Sequence, residues 1–295
     1  MSSGTRFGAV LAALALSSLA GCGGGGGDPP GSCTRAAIPT TGPGDVDSYF
    51  PADVNRTWTY QVTETGYGSY QFTNSVIGTT PVGTETAYVF TTTDTIGGYS
   101  SQLIVKRLAG VYELSDGSAE PPLDQLYPSP VLPFPVVDQP PTLVVSCSNV
   151  AIADLDGDGK GDHMDLTAYL GVHTGETASV GAGDFTDVAN VQTDLTITVN
   201  GSSGASMSIT TTKNEWYAPG TGRVSVYSVL SAPAAGVYDE MSAGLQSLFV
   251  PAVGAVPTTE LGLAVGAPLA SRPASFAEAS VQLARSLIHV PGHRG

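Results

Sequence analysis

The stretch "DLDGDGKGDHMD", residues 154–165, gathers five aspartates into twelve residues of a chain in which only 13% of residues are charged. Counted from Asp154, the carboxylates of Asp154, Asp156, Asp158, Asp162 and Asp165 fall at positions 1, 3, 5, 9 and 12. Gly159 stands at position 6, where the loop must turn sharply, and Lys160 offers its backbone carbonyl at position 7. Calcium takes six to eight oxygens, and this spacing can wrap them around one ion. Without a cation, two such charges at ~4 Å repel by roughly 1–4 kcal/mol at effective dielectrics of 80–20. A hairpin turn built on Asp156-Gly157 or Asp158-Gly159 needs only one of these pairs. The ligand count therefore predicts a structural calcium site, with Asp154, Asp156, Asp158, Lys160, Asp162 and Asp165 as ligands. Asp165 is shorter than the glutamate that usually closes such a loop, so the expected binding is weak, about 10⁻⁴–10⁻³ M.

Other signs of chemistry are sparse. None of His163, His173, His289 and His293 belongs to an HExxH zinc motif. The chain has neither a Gly-x-Ser-x-Gly elbow nor Ser-x-x-Lys. The glycine run at 23–27 follows no strand and makes no phosphate loop. Glu64, Glu85, Glu113 and Glu176 could supply a carboxylate pair for glycoside hydrolysis, but no motif groups them. A net charge of −15 repels phosphate backbones and excludes nucleic acid as a partner. The resulting expectation is a non-enzymatic binding or structural module with a protein or glycan partner. The alternatives are an envelope hydrolase with an unrecognised acidic site, or an envelope assembly or adhesion component.

The flanks of the acidic loop, "TLVVSCS" before and "DLTAYLGV" after, read as strands. In this it resembles the calcium loops of dockerin-type and thrombospondin-type repeats, without the helices of a full EF-hand. Strand patterns also dominate elsewhere. In "TWTYQVTE", Trp58, Tyr60 and Val62 alternate with Thr and Gln, and in "HMDLTAYLGV" Met164, Leu166, Ala168, Leu170 and Val172 share a face. The predicted fold is all-β, of antiparallel sheets in two half-domains or one large barrel or sandwich, plus a short C-terminal helix. Val82-Gly83 and Val180-Gly181 form a weak internal echo. Between them, residues 121–141 hold eight prolines, which suits a linker or an edge-hugging crossover rather than a central strand. The half-domains are set at 47–120 and 142–232, the second holding the acidic loop. Residues 233–295 are expected to form a poorly ordered tail containing a helix at about 275–289, with Ser275 and Glu278 at capping-box spacing.

The N-terminus indicates a compartment. After Arg6 comes a short apolar run, about 15 residues, too short for a permanent span, ending in "LAGC" at Cys22. This resembles the lipobox of bacterial lipoproteins, which implies a signal peptide at 1–21, lipidation of Cys22 and a membrane anchor. Gly23 stands where an inner-membrane retention signal would resemble Asp, so the outer membrane is the expected destination. Residues 22–46 then form a flexible Gly/Pro-rich tether. With Cys22 lipidated, Cys33 and Cys147 remain, and an oxidising compartment predicts a disulfide between them.

Two further stretches, "DSYFPADVNRTWTYQVTETG" (47–66) and "EWYAPGTGRVSV" (215–226), resemble uncharacterised bacterial envelope lipoproteins. "ASVGAGDFTDVANVQT" (178–193) resembles their valine-glycine-phenylalanine strand. The resemblance implies an exported β-rich lipoprotein and carries no activity. Asn55-Arg56 departs from it, since a glycine is more usual there, as does the tail after about Ala232.

Overall fold

The alternating segments form thirteen antiparallel strands of a single sheet among the described residues, which in this computed structural model are 31–36, 46–115, 126–252 and 275–288. In chain order the strands are β1 (Ser32–Arg35), β2 (Thr57–Glu64), β3 (Gly68–Val82), β4 (Glu85–Asp94), β5 (Tyr99–Arg107), β6 (Gly110–Leu114) and β7 (Ser129–Pro133). Then follow β8 (Gln139–Ile152), β9 (Asp162–Val180), β10 (Gly183–Asn200), β11 (Ser206–Ala218), β12 (Gly222–Ala232) and β13 (Val237–Phe249). A four-residue helix, α1 (Val46–Tyr49), precedes β2, and α2 (Phe276–Ile288) closes the described chain.

Hairpins link neighbours into two meanders, β2–β7 and β8–β13, and the last strand pairs with the first long one. The order across the sheet is β1-β8-β9-β10-β11-β12-β13-β2-β3-β4-β5-β6-β7. The Val-Gly echo lies at equivalent places, since Val82 ends the second strand of one meander and Val180 ends the second strand of the other. Both meanders contribute to one core, in which Trp58, Tyr60 and Phe72 meet Leu166, Val191 and Tyr217. The sheet is not a closed barrel; its architecture is sandwich-like, with β1 and β7 as the two edges. The edges approach where the Arg35 guanidinium donates to the Pro128 carbonyl at 2.6 Å.

The faces predicted for β2 and β9 are the buried ones: Trp58, Tyr60 and Val62 on β2, and Met164 through Val172 in alternation on β9. The proline-rich segment supplies β7, a short strand at the edge of the sheet, where proline's missing donor does least harm. Cys33 and Cys147 lie directly opposite each other in the β1–β8 register and are bridged, S–S 2.09 Å.

The expected tail differs from what is observed. Residues 237–249 form β13, an interior strand between β12 and β2. Its buried side chains are Met241, Ala243 and Leu245, while Asp239 interrupts the inward row and Ala243 adds little hydrophobicity to it, so its periodicity is faint. The helix forms as expected and docks on the sheet. Ala279, Val281 and Ala284 are buried, Arg285 pairs with Asp239 of β13, and the Ser275 Oγ accepts the Glu278 amide at 3.2 Å.

Candidate functional site

The acidic loop joins β8 to β9 as a long hairpin connection, and Gly157 and Gly159 take φ of 78° and 87° within it. It brings three of the predicted ligands together: oxygens of Asp154, Asp156 and Asp162 all lie within 4.8 Å of one another. Asp162 is fully buried. Its Oδ2 accepts the amides of Leu155 (2.7 Å) and Asp156 (3.3 Å), and its Oδ1 accepts that of Ser202 (2.8 Å). Asp154 accepts the amides of Gly157 and Gly159. Asp156 accepts the Ser203 amide at 3.0 Å, and hydrogen bonding to Ser203 holds its carboxyl below the usual range.

The other predicted ligands lie apart from this trio. Asp158 receives the Ser202 hydroxyl at 2.6 Å and stands 4.0 Å from the Lys160 ammonium. Asp165 belongs to β9, where its oxygens accept the Asn149 amide (2.8 Å) and the Asn200 side-chain amide (3.2 Å). Six oxygens are therefore not yet gathered around one point. Ser202 and Ser203, from the turn between β10 and β11, complete the carboxylates' hydrogen bonding. In sequence, "NGSSG" at 200–204 carries a turn signal and nothing that points to the acidic loop. Cys22 and the lipobox lie outside the described residues.

A second site lies in the interior, and sequence reasoning missed it. The curled sheet lines a cavity of about 180 Å³ that is open to solvent on one side and to which strands of both meanders contribute. Phe50, Trp58, Tyr60, Phe90 and Tyr217 form an aromatic wall, and Ile104, Val131, Val145, Leu166 and Leu195 add aliphatic surface. Phe50 stands 5.6 Å from Phe90 and 6.2 Å from Tyr217, ring centre to ring centre.

The inward row of β11 runs Met207, Ile209, Thr211, Lys213, Glu215, Tyr217, so three polar residues interrupt a face that should be apolar. Glu215 accepts Arg223 Nη1 at 2.8 Å on one oxygen and lies 3.0 Å from Lys213 Nζ on the other. A bulge opposite Trp216 and Tyr217 re-aims β12, so that Arg223 rather than Val224 pairs with Tyr217 and turns toward the cavity. Its guanidinium lies over the Tyr60 ring, 5.5 Å from the centre. Burial pushes the Glu215 carboxyl up, but Lys213 and Arg223 more than offset that and leave it below its ordinary value. Burial likewise drives the Tyr217 hydroxyl up, with Glu215 adding to the rise. Thr211 is 6% exposed, and its hydroxyl has no hydrogen-bond partner among the described residues.

The two stretches that resemble envelope lipoproteins pack against each other and build one wall of this cavity. Trp58 Nε1 donates to the Thr221 carbonyl at 2.7 Å, the Tyr60 hydroxyl to the Arg223 carbonyl at 2.8 Å, and Arg56 Nη2 to the Gly220 carbonyl at 2.5 Å. Gly222, at φ 90°, lies under the Trp58 ring. Asn55, where a glycine is more usual in the resemblance, takes φ 71°, a left-handed conformation that asparagine tolerates best among non-glycine residues.

The scattered glutamates do not converge as a set. Glu64 receives the Tyr70 hydroxyl, Glu85 pairs with Arg107, and Glu176 receives Trp216 Nε1. Only Glu113 lines the cavity, together with Glu215. Held as the anion by two cations, Glu215 is unsuited to be the protonated member of a hydrolytic pair.

No known family matches the sequence, and no curated protein does. Solved structures that are similar include a protein named as exported, with a YmcC-like fold, from Bacteroides fragilis NCTC 9343. It is 15% identical, with a TM-score of 0.35, and the match covers 69% of this chain and 99% of that one. Another, named as a lipoprotein, comes from Parabacteroides distasonis ATCC 8503. It is 13% identical with a TM-score of 0.38, covering 68% of this chain and 99% of that one.

Proposed function

We propose that this chain is a lipid-anchored module of the bacterial envelope, non-enzymatic, that holds a small ligand inside its sheet. The observation that carries the binding reading is the cavity itself. A β core ordinarily fills with interlocking apolar side chains, whereas here an aromatic wall and an ionic cluster centred on the buried Glu215 line one open cavity, with Arg223 packed over Tyr60. Buried ion pairs seldom add stability over apolar side chains of similar volume, so their presence in a cavity wall suits recognition better than packing. The anchor is assigned to Cys22 on the lipobox, and the outer membrane is the proposed destination on Gly23. Asp154, Asp156 and Asp162 are assigned to calcium, with Asp158 and Asp165 able to join only if the loop closes around the ion.

The binding reading is tested on the mature chain made with Cys22→Ser, so that it carries no lipid, and purified from the envelope fraction of its host. Native mass spectrometry should show a protein peak heavier than the polypeptide by one small molecule, released on denaturation. A peak at the polypeptide mass alone, together with no thermal shift across a metabolite panel, would leave a cavity with no ligand role.

A further inference from the structure

We infer that the cavity takes an amphiphile with an apolar, ring-sized body and a single anionic group, a small aryl or alkyl carboxylate. The inference rests on the binding reading above and names the ligand's chemical class. Size comes first. A cavity of 150 Å³ lined by apolar side chains holds benzene, so about 180 Å³ admits a ring and a short tail. The wall of Phe50, Trp58 and Phe90 offers ring faces and edges to such a body.

Charge comes second. On β11 and β12 two cations, Lys213 and Arg223, share one carboxylate, Glu215, whose two oxygens are each engaged by one of them. The cluster therefore keeps one positive charge, and Lys213 retains N–H donors beyond the one facing Glu215. Thr211 lies two residues from Lys213 on the same inward face, roughly 7 Å along the strand. Its buried hydroxyl is unpartnered, and a buried polar group left so is costly unless something supplies the missing bond. A ligand carboxylate beside Lys213 would accept from its ammonium, and a turn of the Thr211 side chain about χ1 would bring its hydroxyl, closed off from the cavity as it stands, to the same group. Glu113 is the other acid lining the cavity; it sits on β6, in the other meander, and is only half-buried, so water screens it more than the β11 cluster.

The experiment uses the lipid-free Cys22→Ser chain and three matched probes with the shortest tails: benzoate, benzyl alcohol and benzylamine. Calorimetry should show the acid binding about tenfold or more tighter than the alcohol, the difference a charge-assisted hydrogen bond supplies, with the amine weakest. Lys213→Met should abolish the preference for the acid. Thr211→Val should weaken the acid severalfold while the melting temperature holds or rises, since an unpartnered hydroxyl is removed. Equal affinity for acid and alcohol overturns the anionic class and leaves the binding module standing. Tightest binding of the amine also overturns it and makes Glu113 the anchor. If none of the probes binds but a molecule of another class is released from the envelope-purified protein, the class is wrong and the module is right. If none binds and nothing is released, both fall.

Discussion

Glu215 shows how much one side chain's neighbours decide. Its carboxyl lies below its ordinary value of 4.5 in the folded chain. A depressed carboxyl contributes stability in full above that value, and the contribution fades as pH falls through the lower, folded value. Replacing it by Gln removes the charge but keeps the shape, leaving the half-buried Lys213 and Arg223 without their counter-charge. Glu215→Gln should therefore cost about 3 kcal/mol at neutral pH, and the gap from wild type should close as pH drops below 4.5. Urea titrations at a series of pH values check this, and a gap that does not vary with pH would contradict it. Asp162 acts by hydrogen bonding instead: Asp162→Ala removes the acceptor for three amides and should cost about 3 kcal/mol in the same assay. The two residues were not equally legible. Asp162 stood out because five acids at ligand spacing need no register to be noticed. Lys213 and Arg223 did not, because their inward direction depends on the alternation of β11 and on one bulge in β12.

At the scale of elements, the hairpin between β8 and β9 carries the metal prediction. Millimolar calcium should raise the melting temperature of the whole chain, and Asp154→Ala combined with Asp156→Ala should abolish the rise. Magnesium serves as the control, since it demands a tighter octahedral shell. Equal shifts from both metals would point to charge screening alone. The disulfide belongs to this scale too. Among the described residues β1 pairs only with β8, and the bridge ties the two at directly opposed residues across a sequence separation of 114. In the chain-entropy view such a closure contributes up to about 4–5 kcal/mol. Reduction should lower the denaturant midpoint accordingly and deprotect the β8 amides that face β1 in hydrogen exchange. Strands with strong alternation, such as β2 and β9, were readable from their period of two. β13 was not, because Asp239 breaks its inward row and Ala243 is buried with little hydrophobic signal.

At the scale of the whole molecule, the lipobox makes the clearest demand. Cys22→Ser should leave either uncleaved precursor or a form that no longer partitions into detergent, and unchanged partitioning would remove the anchor from the reading. The fold class was legible at this scale, since no long helical pattern competes with the strands. That all thirteen strands share one sheet was not. Two meanders separated by a proline-rich segment look the same in sequence whether or not their outer strands meet.

They do meet, and that contact sets an order in time. β2 is the first long strand to leave the ribosome or a translocation pore, and its second neighbour, β13, is the last. Until residues 221–223 emerge, the rings β2 contributes to the interior, Trp58 and Tyr60, lack the carbonyls that hold them, and until residues 241–249 emerge β2 has one open edge. Pairings between such distant parts of a chain form slowly, and an open edge in the interval invites pairing with another chain. Successful maturation thus depends on the final third of the polypeptide arriving before a stranger does, which makes delivery rate and chaperone cover as decisive for this protein as its folded stability.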